Sequence, residues 1–260
     1  MLVIIGGGNM GTALVQGVLR SGHEPTTITI VEVNQERRRE LSRMFAKVAV
    51  VDSIPNCRDV VVAVKPHDAA QVCADATARG AKRLISIAAG VRIATLQKAS
   101  GDTVRVVRAM PNTAALVGLA ATAMAVAPSC DGADRAWARG LLEAIGMVVE
   151  LDESRLDAFT GLVGSGPAYV FYLAEALREA AVVQGFDAET SATLVAQVLA
   201  GSAALLQREP HGAEQLRQRV TSPNGTTAAG IAALDVGRVR EAVVAAVRAA
   251  TLRSKELGNE

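Results

Sequence analysis

The chain has 260 residues, half of them apolar and only 3% aromatic, with a formal net charge of +1 at pH 7. That length suffices for one large domain or two modest ones, and the near-neutral charge with few rings for stacking bases argues against a nucleic-acid binder. Cys57, Cys73 and Cys130 share no metal-ligand spacing, and only His23, His67 and His211 could join them, so no metal site is expected.

The first strand is expected at residues 2–5 (LVII), leaving no room for a signal peptide. With three thiols that cannot pair evenly, this points to a reducing, cytoplasmic compartment. A glycine turn and a helix from about Asn9 to Ser21 follow. Residues 27–33 (TITIVEV) are rich in β-branched side chains and read as a second strand, followed by the charged helix QERRRELSRMFA. A weak strand near 48–51 precedes the apolar run 59–64 (DVVVAV), which stops at Lys65-Pro66. Then come a helix from about His67 to Arg79, a strand at 84–88 (LISIA), a helix near 91–99 and a strand at 103–109. The alternation of strand and helix, with strands apolar on both faces, predicts an α/β fold built on a doubly wound parallel sheet. Met110 to Ser129 reads as strand and loop, and Ala158 to Ala174 is interrupted by Gly164, Gly166 and Pro167, so neither uncharged stretch is expected to span a membrane.

Beyond about residue 150 the strand signals end, and residues 168–184, 188–207 and 238–256 read as Ala- and Leu-rich helices. The change of class predicts an α/β domain over 1–155 and an all-helical domain over 156–260. A helical domain this small and this apolar hides its faces best against another subunit, so a homodimer or larger homo-oligomer is expected.

Gly6, Gly8 and Gly11 form G-x-G-x-x-G between the first strand and its helix, with Asn9 and Met10 between the last two. The first glycine makes the tight turn, the second admits the pyrophosphate, and the third lets helix and strand pack closely. The helix N-terminus offers its free N–H groups to the phosphates. Glu32, at the end of the second strand, stands where an acidic residue accepts the ribose hydroxyls of NAD, whereas Arg37, Arg38 and Arg39 could meet a 2′-phosphate. The cofactor is therefore NADH or NADPH. Ligands of open α/β sheets lie beyond the carboxyl ends of the strands, which adds Ala63, Val64, Lys65 and Pro66 and then Ile87, Ala88 and Ala89 to the cofactor set.

Residues 220–235 read VTSPNGTTAAGIAALD, a hydroxyl-rich turn leading into an alanine-rich helix. Such a turn is either a plain N-cap or a carboxylate site. This stretch, with its S-P-x-G-T-T core at 222–227, is similar to the C-terminal signature of the pyrroline-5-carboxylate reductase family. GGGNMG at 6–11, AVKPH at 63–67, RAMPNTAALVG at 108–118 and GLVGSGPAYVF at 161–171 resemble further blocks of that family, in the same order. The resemblance implies a Rossmann domain, a helical dimerisation domain and active sites at the subunit interface. It implies that Ser222 and the amides of Gly225, Thr226 and Thr227 hold the carboxylate of 1-pyrroline-5-carboxylate, with the Thr227 hydroxyl reaching the ring nitrogen as the catalytic contact. Asn224 stands where the family has glycine, Ala115 where it has proline, and Glu209-Pro210-His211 reorders a usual His-Pro pair.

The activity implied is hydride transfer from NAD(P)H to the cyclic imine, giving L-proline. Three other readings compete: a reductase of a related cyclic imine, a hydroxy-acid dehydrogenase, and a non-catalytic NAD(P)-binding paralogue. The dehydrogenase would need a Lys or His base, and the helical region has no lysine from residue 99 to 254 and only His211. Lys65, from the first domain, is the remaining candidate base.

Overall fold

The computed structural model describes residues 1–209 and 212–258. The chain forms two compact units, residues 1–165 with 249–260, and residues 166–248. The first unit continues past the boundary expected at 155, because the short helix at Leu156–Phe159 buries Leu156 completely in the sheet domain's core.

The first unit is an eight-stranded sheet. Its strands are β1 (Leu2–Ile5), β2 (Ile28–Val31), β3 (Ala49–Val51), β4 (Asp59–Val62), β5 (Arg83–Ser86), β6 (Arg105–Met110), β7 (Ala120–Val126) and β8 (Gly146–Glu150). They lie in the order β3-β2-β1-β4-β5-β6-β7-β8. Neighbours pair in parallel except β6 and β7, which are antiparallel. The doubly wound, parallel-dominated sheet expected from the alternation is present, with one antiparallel pairing that the alternation did not announce. The connection from Pro111 to Leu119 is a short 3₁₀ turn that holds the buried Ala115, and a parallel crossover needs a dozen or more residues. The chain can therefore only reverse. The order itself reverses between β1 and β4, and that is where an open α/β sheet has its crevice.

Five helices connect these strands: α1 (Asn9–Arg20), α2 (Gln35–Met44), α3 (Pro66–Ala78), α4 (Ile93–Ser100) and α5 (Gly132–Glu143). The helix α5 and the strand β8 went unread in the sequence, although Asp131 and Asp134 form a reciprocal capping box at the start of α5. Helix α2 stops at Met44 because Phe45 leaves the helical conformation to bury its ring. The short helix α6 (Leu156–Phe159) leads into a π-helical turn at Thr160–Gly164. Across the sheet's central strands nearly every side chain is buried, as parallel strands covered on both faces require.

The second unit contains α7 (Gly166–Val183), α8 (Ala188–Arg208), α9 (Gly212–Arg219), α10 (Thr226–Val236) and most of α11 (Val239–Leu257). Among its described residues only Ser191 and Val195 are buried. Phe171, Tyr172, Val183, Val236 and Val244 are each more than 60% exposed. Faces this apolar mark an interaction surface. Among the described residues α8 alone is long and apolar enough to cross a membrane. Pro210 and His211, and with them the reordered His-Pro pair, lie outside the described residues.

Candidate active site

The sheet unit carries a cleft of about 1080 Å³ at the carboxyl ends of β1 to β4. Of the residues expected at the cofactor, Gly6, Gly8, Asn9, Met10 and Glu32 line it, as do Ala63, Val64, Lys65 and Ile87. Gly11, Pro66, Ala88 and Ala89 do not. Gly11 lies buried beneath the glycine turn, Ala88 is buried in the core, and Ala89 points outward. Pro66 occupies the first turn of α3, where its missing N–H costs nothing. Strand β4 ends at Val62 rather than 64, so Ala63, Val64 and Lys65 form the loop beyond it. Lys65 is held extended (ψ 150°) before the proline.

Each glycine of the turn has a separate geometric reason. Gly6 adopts φ +108°, and a Cβ there would stand 2.4 Å from the Ala63 carbonyl oxygen. A Cβ on Gly11 would stand 2.0 Å from the Gly6 carbonyl oxygen, so that site sets the approach of α1 to β1. A Cβ on Gly8 would meet nothing within 4 Å. Gly8 is the N-cap of α1, and among the described residues no side chain caps that helix. The first-turn N–H groups, which have no partner within the helix, therefore remain available to a ligand. An open position at the second glycine and an uncapped helix terminus fit a dinucleotide pyrophosphate.

Glu32 is held by two backbone donors. Gly7 N–H donates to its Oε2 and Asn34 N–H to its Oε1, both at 2.9 Å. Arg37 turns into the glycine loop, donating from Nε to the Gly7 carbonyl at 2.8 Å and from Nη2 to the Thr12 hydroxyl at 2.9 Å. Sequence reasoning missed Asp52, Ser53 and Ile54 beyond β3, and Asp68, Gln71 and Asp75 on α3, all of which line the cleft. The α3 residues recur at i, i+3 and i+7, the spacing of one helical face, and could have been found from it.

In the helical unit, Gly225 is the N-cap of α10, at φ −83° and ψ 171°. A Cβ on Gly225 would stand 2.5 Å from the Ser222 Oγ, so Ser222, Gly225, Thr226 and Thr227 share one tight turn closed by Gly225 N–H donating to the Ser222 carbonyl at 3.1 Å. Among the described residues no side chain caps α10, which leaves its first-turn amides to a ligand. Asn224 sits at φ +58°, in the left-handed region that favours glycine. Asparagine is the side-chain-bearing residue that best tolerates that region, so it can stand where the resemblance leads one to expect glycine.

The three thiols lie away from this chemistry. Cys57, Cys73 and Cys130 are free and buried. Burial pushes all three thiols up, Cys73 to about 11.

A family model described as pyrroline-5-carboxylate reductase dimerisation matches residues 153–257, and one described as NADP oxidoreductase coenzyme F420-dependent matches residues 1–90. The pyrroline-5-carboxylate reductase of Mycobacterium leprae is 39% identical over 98% of this chain and 96% of its own. A solved pyrroline-5-carboxylate reductase from Coxiella burnetii superposes with a TM-score of 0.91 at 34% identity, covering 98% of this chain and 97% of that one. The Plasmodium falciparum pyrroline carboxylate reductase, solved with NADP bound, superposes at 0.87 with 28% identity over 99% of this chain and 97% of its own.

Proposed function

The chain belongs to the pyrroline-5-carboxylate reductase family, and on that premise we propose that it reduces the C=N bond of 1-pyrroline-5-carboxylate with NAD(P)H to give L-proline. The observation that carries the reading is the α10 terminus, where Ser222, Gly225, Thr226 and Thr227 form an uncapped hydroxyl- and amide-rich turn. That turn offers charge-assisted hydrogen bonds to a carboxylate.

A nicotinamide cofactor, when bound, would supply the hydride. The glycine turn and the first turn of α1 would hold its pyrophosphate, Glu32 its ribose end, and Ala63 to Lys65 and Ile87 would border the rest of it. Ser222 and the amides of Gly225, Thr226 and Thr227 hold the substrate carboxylate. The Thr227 hydroxyl orients the ring nitrogen, which carries the proton once the carbon has received hydride. Orientation supplies most of the rate, because an imine needs no strong base. The absence of lysine from residue 99 to 254 fits that requirement and disfavours a hydroxy-acid dehydrogenase.

The apolar faces of the helical unit are those of a homo-oligomer, each large side chain contributing about 1.5–3 kcal/mol when covered. The substrate turn lies within the matched dimerisation region, which supports active sites at the subunit interface. It also supports assigning the apolar surface of α8 to subunit pairing rather than to a bilayer, and with it a cytoplasmic enzyme.

Two measurements test the reading. Steady-state oxidation of NADH and of NADPH is followed with pyrroline-5-carboxylate and, separately, the reverse reaction with β-hydroxy acids; turnover confined to hydroxy acids overturns the assignment. Light scattering at micromolar concentration is expected to return a dimer or larger, and a monomer refutes the interface site.

A further inference from the structure

We infer that the ribose end of the cleft selects NADH over NADPH, and that Glu32 is the selecting residue. The inference rests on the dinucleotide reading of the cleft given above.

The carboxylate of Glu32 lines the cleft and is pinned from both sides, by Gly7 N–H on Oε2 and Asn34 N–H on Oε1. Each oxygen has one acceptor site engaged and one left over. Two free acceptors of fixed direction suit the two hydroxyls of an adenosine ribose, which donate. A 2′-phosphate offers acceptors and close to two negative charges instead. It would meet Glu32 without a donor between them, and Asp52 lines the same part of the cleft at the end of β3.

Two of the three arginines that could neutralise such a phosphate are engaged elsewhere, and the third lies off the cleft. All three guanidinium nitrogens of Arg37 have partners: the Gly7 carbonyl at 2.8 Å, the Thr12 hydroxyl at 2.9 Å and Glu40 Oε2 at 2.7 Å. Arg38 donates from Nη1 to the carbonyls of Glu32 at 2.9 Å and Val33 at 2.8 Å, and its Nη2 lies 3.8 Å from Asp52. Arg39 is exposed, and none of the three lines the cleft. The cations that do line it, Lys65 and Arg79, belong to the two ends of α3, and that helix adds Asp68 and Asp75 to the same wall. Freeing Arg37 for a phosphate would break its bonds to the turn that holds the pyrophosphate. The cluster that looks like a 2′-phosphate site in the sequence therefore works as scaffolding for the glycine loop and for Glu32. Discrimination comes chiefly from repulsion of the wrong cofactor.

Equilibrium titration of the unaltered protein with NADH and with NADPH, read by nicotinamide fluorescence without imine substrate, decides the matter. The Kd for NADH is expected to lie about tenfold or more below that for NADPH. Thermal shifts with NAD+ and NADP+ are expected to fall in the same order. Equal affinities, or tighter NADPH, overturn the inference; failure to bind either dinucleotide overturns the reading beneath it instead. Glu32→Gln keeps the size and removes the charge, and is expected to shrink the ratio to about threefold or less, mainly through tighter NADPH. A folded Glu32→Gln protein with the original ratio removes Glu32 as the selector. If that variant does not fold, Asp52→Asn leaves the Gly7 and Asn34 bonds in place and is expected to narrow the ratio less; the ratio of the unaltered protein then stands as the deciding measurement.

Discussion

Gly11 approaches Gly6 so closely that a Cβ on Gly11 would stand 2.0 Å from the Gly6 carbonyl oxygen, inside any real contact. The obstacle is backbone, so the turn itself must move. Gly11→Ala is expected to cost about 1–3 kcal/mol of stability, as overpacking does, and to weaken cofactor binding with it. Gly8→Ala should separate the two effects, since its Cβ enters open space on the cleft wall and its φ of −67° suits alanine. Stability is expected to hold within about 0.5 kcal/mol while NADH affinity falls. Urea midpoints beside dinucleotide titrations check both, and an equal loss of stability in the two variants would contradict the division of roles.

Arg108 on β6 is almost wholly buried and donates to Glu153 Oε1 at 3.0 Å. Glu153 also caps the start of α4 by accepting from Ile93 N–H at 2.7 Å, and Asp157, 4.0 Å from Arg108, accepts from Ser254 near the end of α11. One buried cation thus ties a central strand to three helical segments of the sheet unit. Removing one partner of a buried pair strands the other. Arg108→Met is expected to lower unfolding free energy by about 3 kcal/mol, the low end for such a loss because Glu153 keeps some solvent contact. Denaturant titration measures it; a loss under about 1 kcal/mol would show that the network is not structural.

The cleft beyond the first strands was legible because each of its features is local. A strand buried on both faces is a continuous apolar run, and a glycine turn sits where the run stops. The direction of β7 was not legible from its own residues, since the short Pro111–Leu119 connection decides it. Helix α5 was visible in principle from Asp131 and Asp134, but alanine-rich surroundings blur its period. The state of Glu32 depends on Gly7, 25 residues away, and that of Arg37 on Gly7 and Thr12. No pattern within the second strand or its helix contains those partners, which is why the two opposite readings of the ribose end could not be separated there.

The thiols give a chemical test of the sheet unit's core. Burial raises all three, and at about 11 the Cys73 thiol is almost entirely protonated at pH 8. The native protein is expected to leave all three thiols unreacted with a disulfide reagent over a period in which the unfolded chain titrates fully. Rapid modification of one thiol in the folded protein would mean that its segment opens locally.

Asp187 caps α8 by accepting from Thr190 N–H at 2.8 Å and from the Thr190 hydroxyl at 2.8 Å. The backbone bond first, then the hydroxyl, holds its carboxyl below the ordinary 3.8. A depressed value in the folded state gives stabilisation that is complete above the unfolded value and is lost as pH falls through the folded one. Asp187→Asn keeps a capping oxygen but does not titrate. Its melting temperature is expected to fall less steeply than that of the parent between neutral pH and the acid limb. Parallel slopes would show that Asp187 titrates alike in the folded and unfolded chains.

Thr227 and Asn224 test the proposed substrate turn from two directions. Thr227 begins the first turn of α10 with Thr226, so its hydroxyl can be removed without touching the Ser222–Gly225 closure. Thr227→Ala is expected to lower kcat about 100-fold, the scale of one positioned proton-handling group, with dinucleotide affinity unchanged. Thr227→Ser restores the hydroxyl and should recover most of the loss, which a purely structural role would not predict. Asn224 instead acts through the backbone, since φ +58° is open to asparagine and glycine and strained for a β-branched residue. Asn224→Gly should therefore keep kcat and KM near the parent values, whereas Asn224→Val should raise KM for the imine by misplacing the amides that follow it. The two positions then separate by parameter, kcat for Thr227 and KM for Asn224. A Thr227→Ala enzyme with unchanged turnover would remove the hydroxyl from the chemistry and leave the turn with carboxylate binding alone.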